Sequence, residues 1–254
     1  MKNSSPTAAA SMLGFAIVMS PFADLRATEL KILAGSSMTG SLNELGPQFE
    51  RASGHKLTIH FDSTPNLIKQ ATSGEPFDLA VAPVDVFKDT AAKARFAPGP
   101  TTDIARVGYG VIVRAGTPKP DVSTPDALKQ TLLNAQSITF LPESAAGAYV
   151  LSVFRRLGIS EAMKAKTKPQ AALPQIAQAV AKGEADLGIF LVSVLIAPGV
   201  ELVGPFPAEL QQELVFTAAV AADSKAAEAA TAFITYLTTP AAAAVIKAKG
   251  MNPG

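Results

Sequence analysis

Few residues in this chain have chemistry to offer. The run Gly35-Ser36-Ser37-Met38-Thr39 approaches a nucleophile elbow, where a serine sits on a sharp turn between strand and helix. That pattern demands glycine where Thr39 stands. A serine nucleophile also needs a histidine to take its proton, and the chain has two: His55, in a turn beside Gly54, and His60, inside a strand pattern. His60 and Asp62 are two residues apart, which places both on one face of a strand. Such a couple can hold and pass a proton, and the same spacing describes an ordinary hydrogen-bonded surface pair. No two histidines stand at metal-ligand spacing, and the absence of cysteine removes disulfides, thiol catalysis and thiolate zinc sites. No G-x-x-x-x-G-K-[ST] loop occurs, and Gly108-Tyr109-Gly110 falls inside a strand pattern instead of opening a G-x-G-x-x-G turn. The expectation is no metal and no cofactor.

Hydroxyl-rich turns remain. Ser36-Ser37 precedes one helical pattern, Ser63-Thr64 a second and Ser144-Ala145-Ala146-Gly147 a third. A helix start leaves backbone N–H groups unpaired and carries the positive end of the helix dipole. Several such starts facing one crevice form an anion site lined by neutral donors. Serine and threonine are also the ordinary N-caps of helices, so each turn taken alone reads first as a cap, and it is the three together that point to binding.

These turns need a sheet to hold them together. Leu30–Ala34 is a short apolar run, and Leu42, Leu45 and Phe49 then recur at helical spacing up to Gly54. Leu57–Phe61 reads as a strand, Leu67, Ile68 and Ala71 mark a helix ending at Gly74, and Phe77–Ala82 is a buried strand. This β-α-β-α-β order is the mark of an α/β fold with a parallel sheet and crossover helices. In such sheets ligands bind at the carboxyl ends of the strands. Later strands are expected over Arg106–Val113, Ser137–Leu141, Asp186–Phe190 and Val215–Val220, with helices over Ala148–Leu157 and Ala226–Leu237.

The chain has 254 residues, 48% of them hydrophobic and 17% charged, with Lys+Arg 22 against Asp+Glu 21. That length fits one large domain or two lobes. A formal charge of +1 without a basic cluster argues against nucleic acid as a partner. Lys2, the alanines 8–10 and the apolar run Met12–Met19 are too short for a membrane span and fit a secretory signal over residues 1–27. Cleavage after Ala23 and after Ala27 are both open, and the alternative is an unstructured N-terminus.

Several segments in order carry a family resemblance: Leu30–Thr39, Leu67–Leu79, Ala146–Tyr149, Gly183–Ile189 and the helical end 226–250. Together they resemble the periplasmic molybdate-binding proteins of ABC importers over nearly the whole mature chain. The resemblance implies a two-lobed periplasmic solute-binding protein fold, type II, with two hinge crossings. It implies a monomer in the periplasm that holds a small anion in the interlobe cleft and meets the membrane subunits of an ABC transporter. The lobes would be residues 28–107 plus 217–254 and residues 108–216, with crossings at Val107-Gly108 and Phe216-Thr217. Carried over by position, the ligand contacts would be Ser37, Thr64 and Ala146, with Leu173 giving a backbone group and Ser36 beside them.

The departures from that pattern bear on the ligand. The family's second-turn serine falls on Thr64, which keeps a hydroxyl, and its cleft tyrosine falls on Leu191, which has no hydrogen to donate. Restoring an aromatic donor there, Leu191→Tyr, would favour a tetrahedral oxyanion. Segments 117–123 and 200–205 resemble a divergent branch that includes aconitate isomerase, an exported enzyme that moves a double bond in a tricarboxylate. An isomerase would need a general acid or base in the cleft, for which Asp62 and His60, with Lys69 and Tyr149, are positional candidates. Anion capture for import, isomerisation on the same scaffold, and a protein-interaction or sensing role are the three functions left open.

Overall fold

The computed structural model describes residues 27–254; the expected signal peptide, apart from Ala27, lies outside them. In chain order the elements begin with β1 (Glu29–Gly35), a 3-10 turn (Ser36–Met38), α1 (Thr39–Ser53), β2 (Lys56–Asp62), α2 (Thr64–Thr72) and β3 (Leu79–Pro83). Then follow α3 (Val84–Lys88), α4 (Thr90–Lys93), β4 (Thr102–Val107), β5 (Tyr109–Arg114), α5 (Pro125–Asn134), β6 (Ile138–Phe140), α6 (Ala145–Arg156) and α7 (Ser160–Lys166). The rest comprises β7 (Thr167–Pro169), α8 (Leu173–Ala181), β8 (Leu187–Leu191), α9 (Val192–Leu195), β9 (Val200–Pro205), β10 (Leu214–Val220), α10 (Ala227–Leu237), α11 (Pro240–Ala248) and β11 (Asn252–Pro253).

Two mixed sheets result. One runs β11-β4-β10-β3-β1-β2, the other β7-β6-β8-β5-β9. In the first, β2, β1 and β3 are parallel, as the β-α-β-α-β pattern requires, and β10 closes antiparallel between β3 and β4. In the second, β7, β6 and β8 are parallel and β5 runs antiparallel between β8 and β9. All five residues of β3 and of β8 are buried, as expected for strands covered on both faces. Helix α1 turns Leu42, Leu45, Gly46 and Phe49 inward, a stripe at i, i+3, i+4 and i+7. It stops at Gly54, whose φ of 77° is left-handed and whose N–H donates to Glu50 O at 2.9 Å. The bend from β6 into α6 depends on Gly147, where a Cβ would overlap the carbonyl oxygen of Leu141.

Residues 106–113 are not one strand. The chain ends β4 at Val107 in the first sheet, and after Gly108 alone it begins β5 in the second. A one-residue passage leaves the apolar pattern unbroken, so the run reads as continuous. The return passage occupies residues 206–213, and Phe216 and Thr217 lie within β10, at a register irregularity against β4. The passages are tied to each other. Tyr109 N donates to Gln211 Oε1 at 2.7 Å, Gln211 Nε2 donates to Tyr109 O at 3.0 Å, and Phe206 N donates to Tyr109 O at 2.9 Å. Among the described residues no single helix is long and apolar enough to cross a membrane.

Candidate functional site

Parallel strands bring their carboxyl ends to one edge, and the register fixes which turns are neighbours. Gly35 pairs with Asp62, so the Ser36-Ser37 turn stands beside the Ser63-Thr64 turn. The hydroxyls of these turns are uncommitted. Ser36 and Ser37 are half-buried and, among the described residues, neither hydroxyl caps a helix or bonds within the protein. Thr39 Oγ1 donates to the carbonyl of Ser36 at 2.7 Å, which fixes the turn without using those hydroxyls. Ser63 occupies the N-cap of α2 but accepts no N–H, and Thr64, first in that helix, is half-buried. The third turn behaves differently. Ser144 Oγ accepts from Gly147 N at 2.9 Å and donates to Leu141 O at 2.9 Å, so it is a working cap.

A cavity of about 570 Å3 opens between the two sheets' sides. Ser36, Ser37 and Thr39 line one wall, while Leu173 and Gln178 of α8 and Ser193 of α9 line the other. Helix α9 packs on the Ser36–Met38 turn. Helix α8 starts at Leu173, and Gln175 Oε1 accepts from Ala171 N at 3.1 Å and Ala172 N at 3.0 Å just upstream. No Lys, Arg, His, Asp or Glu lines this cavity among the described residues.

Of the sequence-derived contacts, the cavity therefore gathers Ser36, Ser37 and Leu173. Thr64, Ala146 and Leu191 are not on its wall. Thr64 lies in the neighbouring turn, and Ala146 is the second residue of α6, behind the Ser144 cap. Leu191 ends β8 opposite Tyr109 and is only 1% exposed, so it is a core residue and the expected gain from a tyrosine there does not follow. Sequence reading missed Gln178 and Ser193. The only signal for Ser193 is that it is the single hydroxyl in the apolar run Leu191–Leu195 after a buried strand.

A larger cavity, about 750 Å3, lies where the chain passes between sheets, against Gly108, Phe206 and Gln211. Its wall carries Asp121 and Glu213. The Asp121 carboxylate is held below the usual carboxylate range by the backbone N–H and side chain of Ser123. Negative groups on the wall oppose an anionic guest.

The acid–base candidates form a cluster on β2 and α2. His60 Nε2 is 3.5 Å from Asp62 Oδ2 and 2.6 Å from Gln70 Nε2, and Asn66 Nδ2 donates to Asp62 Oδ1 at 2.8 Å. Burial acts to raise the Asp62 pKa, but hydrogen bonds from Asn66 and Ser63 N together with His60 outweigh it and hold the carboxyl below its ordinary range. Neither His60 nor Asp62 lines the cavity, and the His60 side chain is 56% exposed. Lys69 is exposed on α2. Tyr149 donates its hydroxyl to Leu210 O at 2.7 Å and lays its ring 4.7 Å from that of Tyr109. His55 is buried, accepts from Thr28 N at 3.3 Å on Nδ1 and stacks on Phe49. No group of three His, Asp or Glu side chains among the described residues is placed to hold a metal ion.

Comparison with known proteins places this geometry. A model of the bacterial extracellular solute-binding proteins matches residues 30–252. An aconitate isomerase from a Pseudomonas species is 33% identical over 233 residues, covering 89% of this chain and 88% of that protein. The molybdate-binding protein ModA of Azotobacter vinelandii is 28% identical over 232 residues, covering 89% of this chain and 90% of that one. Among solved structures, the periplasmic molybdate-binding protein of Azotobacter vinelandii superposes with a TM-score of 0.70 at 22% identity, covering 87% of this chain and 98% of its own. The tungstate-binding protein TupA of Desulfovibrio alaskensis G20 gives 0.65 at 16% identity, covering 90% and 99%. At these identities the two structures speak for the fold.

Proposed function

This chain belongs to the bacterial extracellular solute-binding protein family, and we propose that it is an exported, periplasmic, monomeric member that captures a small anion between its sheets for an ABC importer. The carrying observation is the cavity itself: among the described residues its Ser36 and Ser37 hydroxyls bond to no protein group, and no ionised side chain shares the wall. Neutral donors converging beside helix starts suit a compact oxyanion such as molybdate, because N–H and O–H dipoles meet its charge while a specific geometry is kept. The contacts proposed are Ser37 and Ser36 with the backbone at Leu173, with Thr64 in the adjoining turn and Ala146 brought nearer as the lobes, 28–107 plus 214–254 and 108–213, close about the two passages. Residues 1–27 serve as the export signal.

The test is a thermal-shift and calorimetric panel of molybdate, tungstate, sulfate, cis- and trans-aconitate on protein stripped of bound solute by unfolding and refolding. A ligand that binds only the folded form raises the melting temperature by mass action. Failure of every anion to bind would overturn the reading.

The 33% identity to an aconitate isomerase supports a second reading on the same scaffold. Here Asp62, with His60 beside it, would take a proton from the methylene carbon of aconitate and deliver a proton to the far carbon of the original double bond, so that the double bond shifts by one position. Incubation with trans-aconitate, followed by NMR for the cis isomer, decides between the two. Turnover that disappears in Asp62→Asn would favour the enzyme; binding without turnover favours the receptor.

A further inference from the structure

Ser193 has no evident reason to be a serine. Its hydroxyl oxygen is closed off from solvent and has no hydrogen-bond partner among the described residues. The flanking residues Leu191, Val192, Val194 and Leu195 are apolar, so packing alone would be served as well by alanine. A buried hydroxyl left unpaired opposes folding, and such exceptions in a folded protein call for an explanation. Ser193 also lines the cavity that holds Ser36 and Ser37, from the opposite side, on the helix that packs against their turn.

We propose that Ser193 is a ligand-contacting residue, the hydroxyl that the second sheet's side contributes to the anion held by Ser36 and Ser37. The inference rests on the reading of this cavity as an anion site. Serine has a single side-chain torsion with three staggered wells, so a change of rotamer is the motion that would turn the hydroxyl toward a bound solute. Leu191 cannot fill the role, being apolar and enclosed in β8. Ser193 is the next donor along the same segment, and with it the guest is gripped by hydroxyls from both sides. The ligand class is a compact oxyanion. A tricarboxylate would bring three carboxylates to a wall on which no described residue is a cation.

The experiment compares wild type, Ser193→Ala and Ser193→Thr by calorimetry with sodium molybdate, tungstate, sulfate and trans-aconitate, and by the melting temperature of the stripped protein. Ser193→Ala is expected to weaken the bound anion about 10- to 150-fold while leaving the stripped protein's melting temperature unchanged or higher. Ser193→Thr, which keeps the hydroxyl, is expected to stay closer to wild type in affinity than the alanine variant. Equal affinities of wild type and Ser193→Ala would overturn the assignment of Ser193 and leave the cleft reading standing. A lower melting temperature of stripped Ser193→Ala would also overturn it, by showing a structural role. Wild-type protein that binds none of the four anions would overturn the cleft reading and this inference with it.

Discussion

Ser37→Ala set against Ser144→Ala separates a ligand hydroxyl from a structural one. Both serines sit at strand-to-helix turns, and both are half-buried. Ser144 accepts the N–H of Gly147 and donates to the carbonyl of Leu141, whereas Ser37 gives its hydroxyl to no group among the described residues. Removing an N-cap serine costs about 1 kcal/mol, with a range of roughly 0.5–2. In a chain of this size that lowers the melting temperature by about 2–4 °C. Removing Ser37 breaks nothing in the stripped protein, so its melting temperature should stay within about 1 °C of wild type. Its effect appears on binding, where a neutral donor to a charged acceptor is worth about 1.5–3 kcal/mol, or about 10- to 150-fold in Kd. Titration calorimetry on refolded protein gives the second quantity and a thermal melt the first. Ser37→Ala with wild-type affinity, or with the melting loss expected of Ser144→Ala, would refute the assignment of the cleft.

Three further outcomes follow from the same geometry. Thr64→Ala should weaken anion binding by less than Ser37→Ala, because Thr64 stands in the adjoining turn and not on the cavity wall; calorimetry that ranks the two in reverse would relocate the site toward α2. Leu191→Tyr should destabilise the fold by about 1–3 kcal/mol through overpacking without strengthening binding, since Leu191 is 1% exposed; a thermal melt and one titration check both halves. The Asp62 cluster should be acid-sensitive. Its folded pKa lies below the ordinary 3.8, so its contribution to stability is complete above that value and is lost as pH falls through the lower folded pKa. Melting temperatures from about pH 7 down to about pH 2 should accordingly fall less steeply in Asp62→Asn than in wild type, and parallel curves would remove Asp62 from any stabilising role.

The parallel half of the first sheet was legible because its signals are local. Alternation in 30–34 and 57–61, the stripe Leu42, Leu45, Phe49 and the stop at Gly54 all lie within one element, and the observed β1, α1 and β2 match them to a few residues. Strand β10 was legible as a strand, but its place between β3 and β4 joins residues more than a hundred positions apart, which no local pattern encodes. The passage at Gly108 was hidden for the opposite reason: its neighbours on both sides are apolar strand residues. At the site, the turns were found through their hydroxyls, yet sequence treated all three alike. Only the hydrogen bonds of Ser144 and their absence at Ser36 and Ser37 divide caps from donors. Ser193 could not be singled out, because an isolated serine among apolar residues looks the same whether its hydroxyl is paired or orphaned.

The two functional readings part on charge. A cation near the cleft exists: the Lys249 side chain runs alongside Gly40 on the cavity rim. Its Nζ is, however, 2.8 Å from Glu44 Oε2, so its charge is already matched and an entering anion would have to displace a carboxylate to use it. What the wall offers without such displacement is fixed dipoles, chiefly the hydroxyls of Ser36, Ser37 and Ser193 beside the starts of α1 and α8. Dipoles act over short range and reward a guest whose charge is concentrated where several donors converge. A trianion spread over three carboxylates would satisfy one group at that point and leave the others against Leu173, Pro174 and Ala177, where an unpaired charge is costly. An isomerase built on this cleft would therefore have to recruit Lys249 away from Glu44, while a receptor for a compact oxyanion needs nothing to move but the lobes.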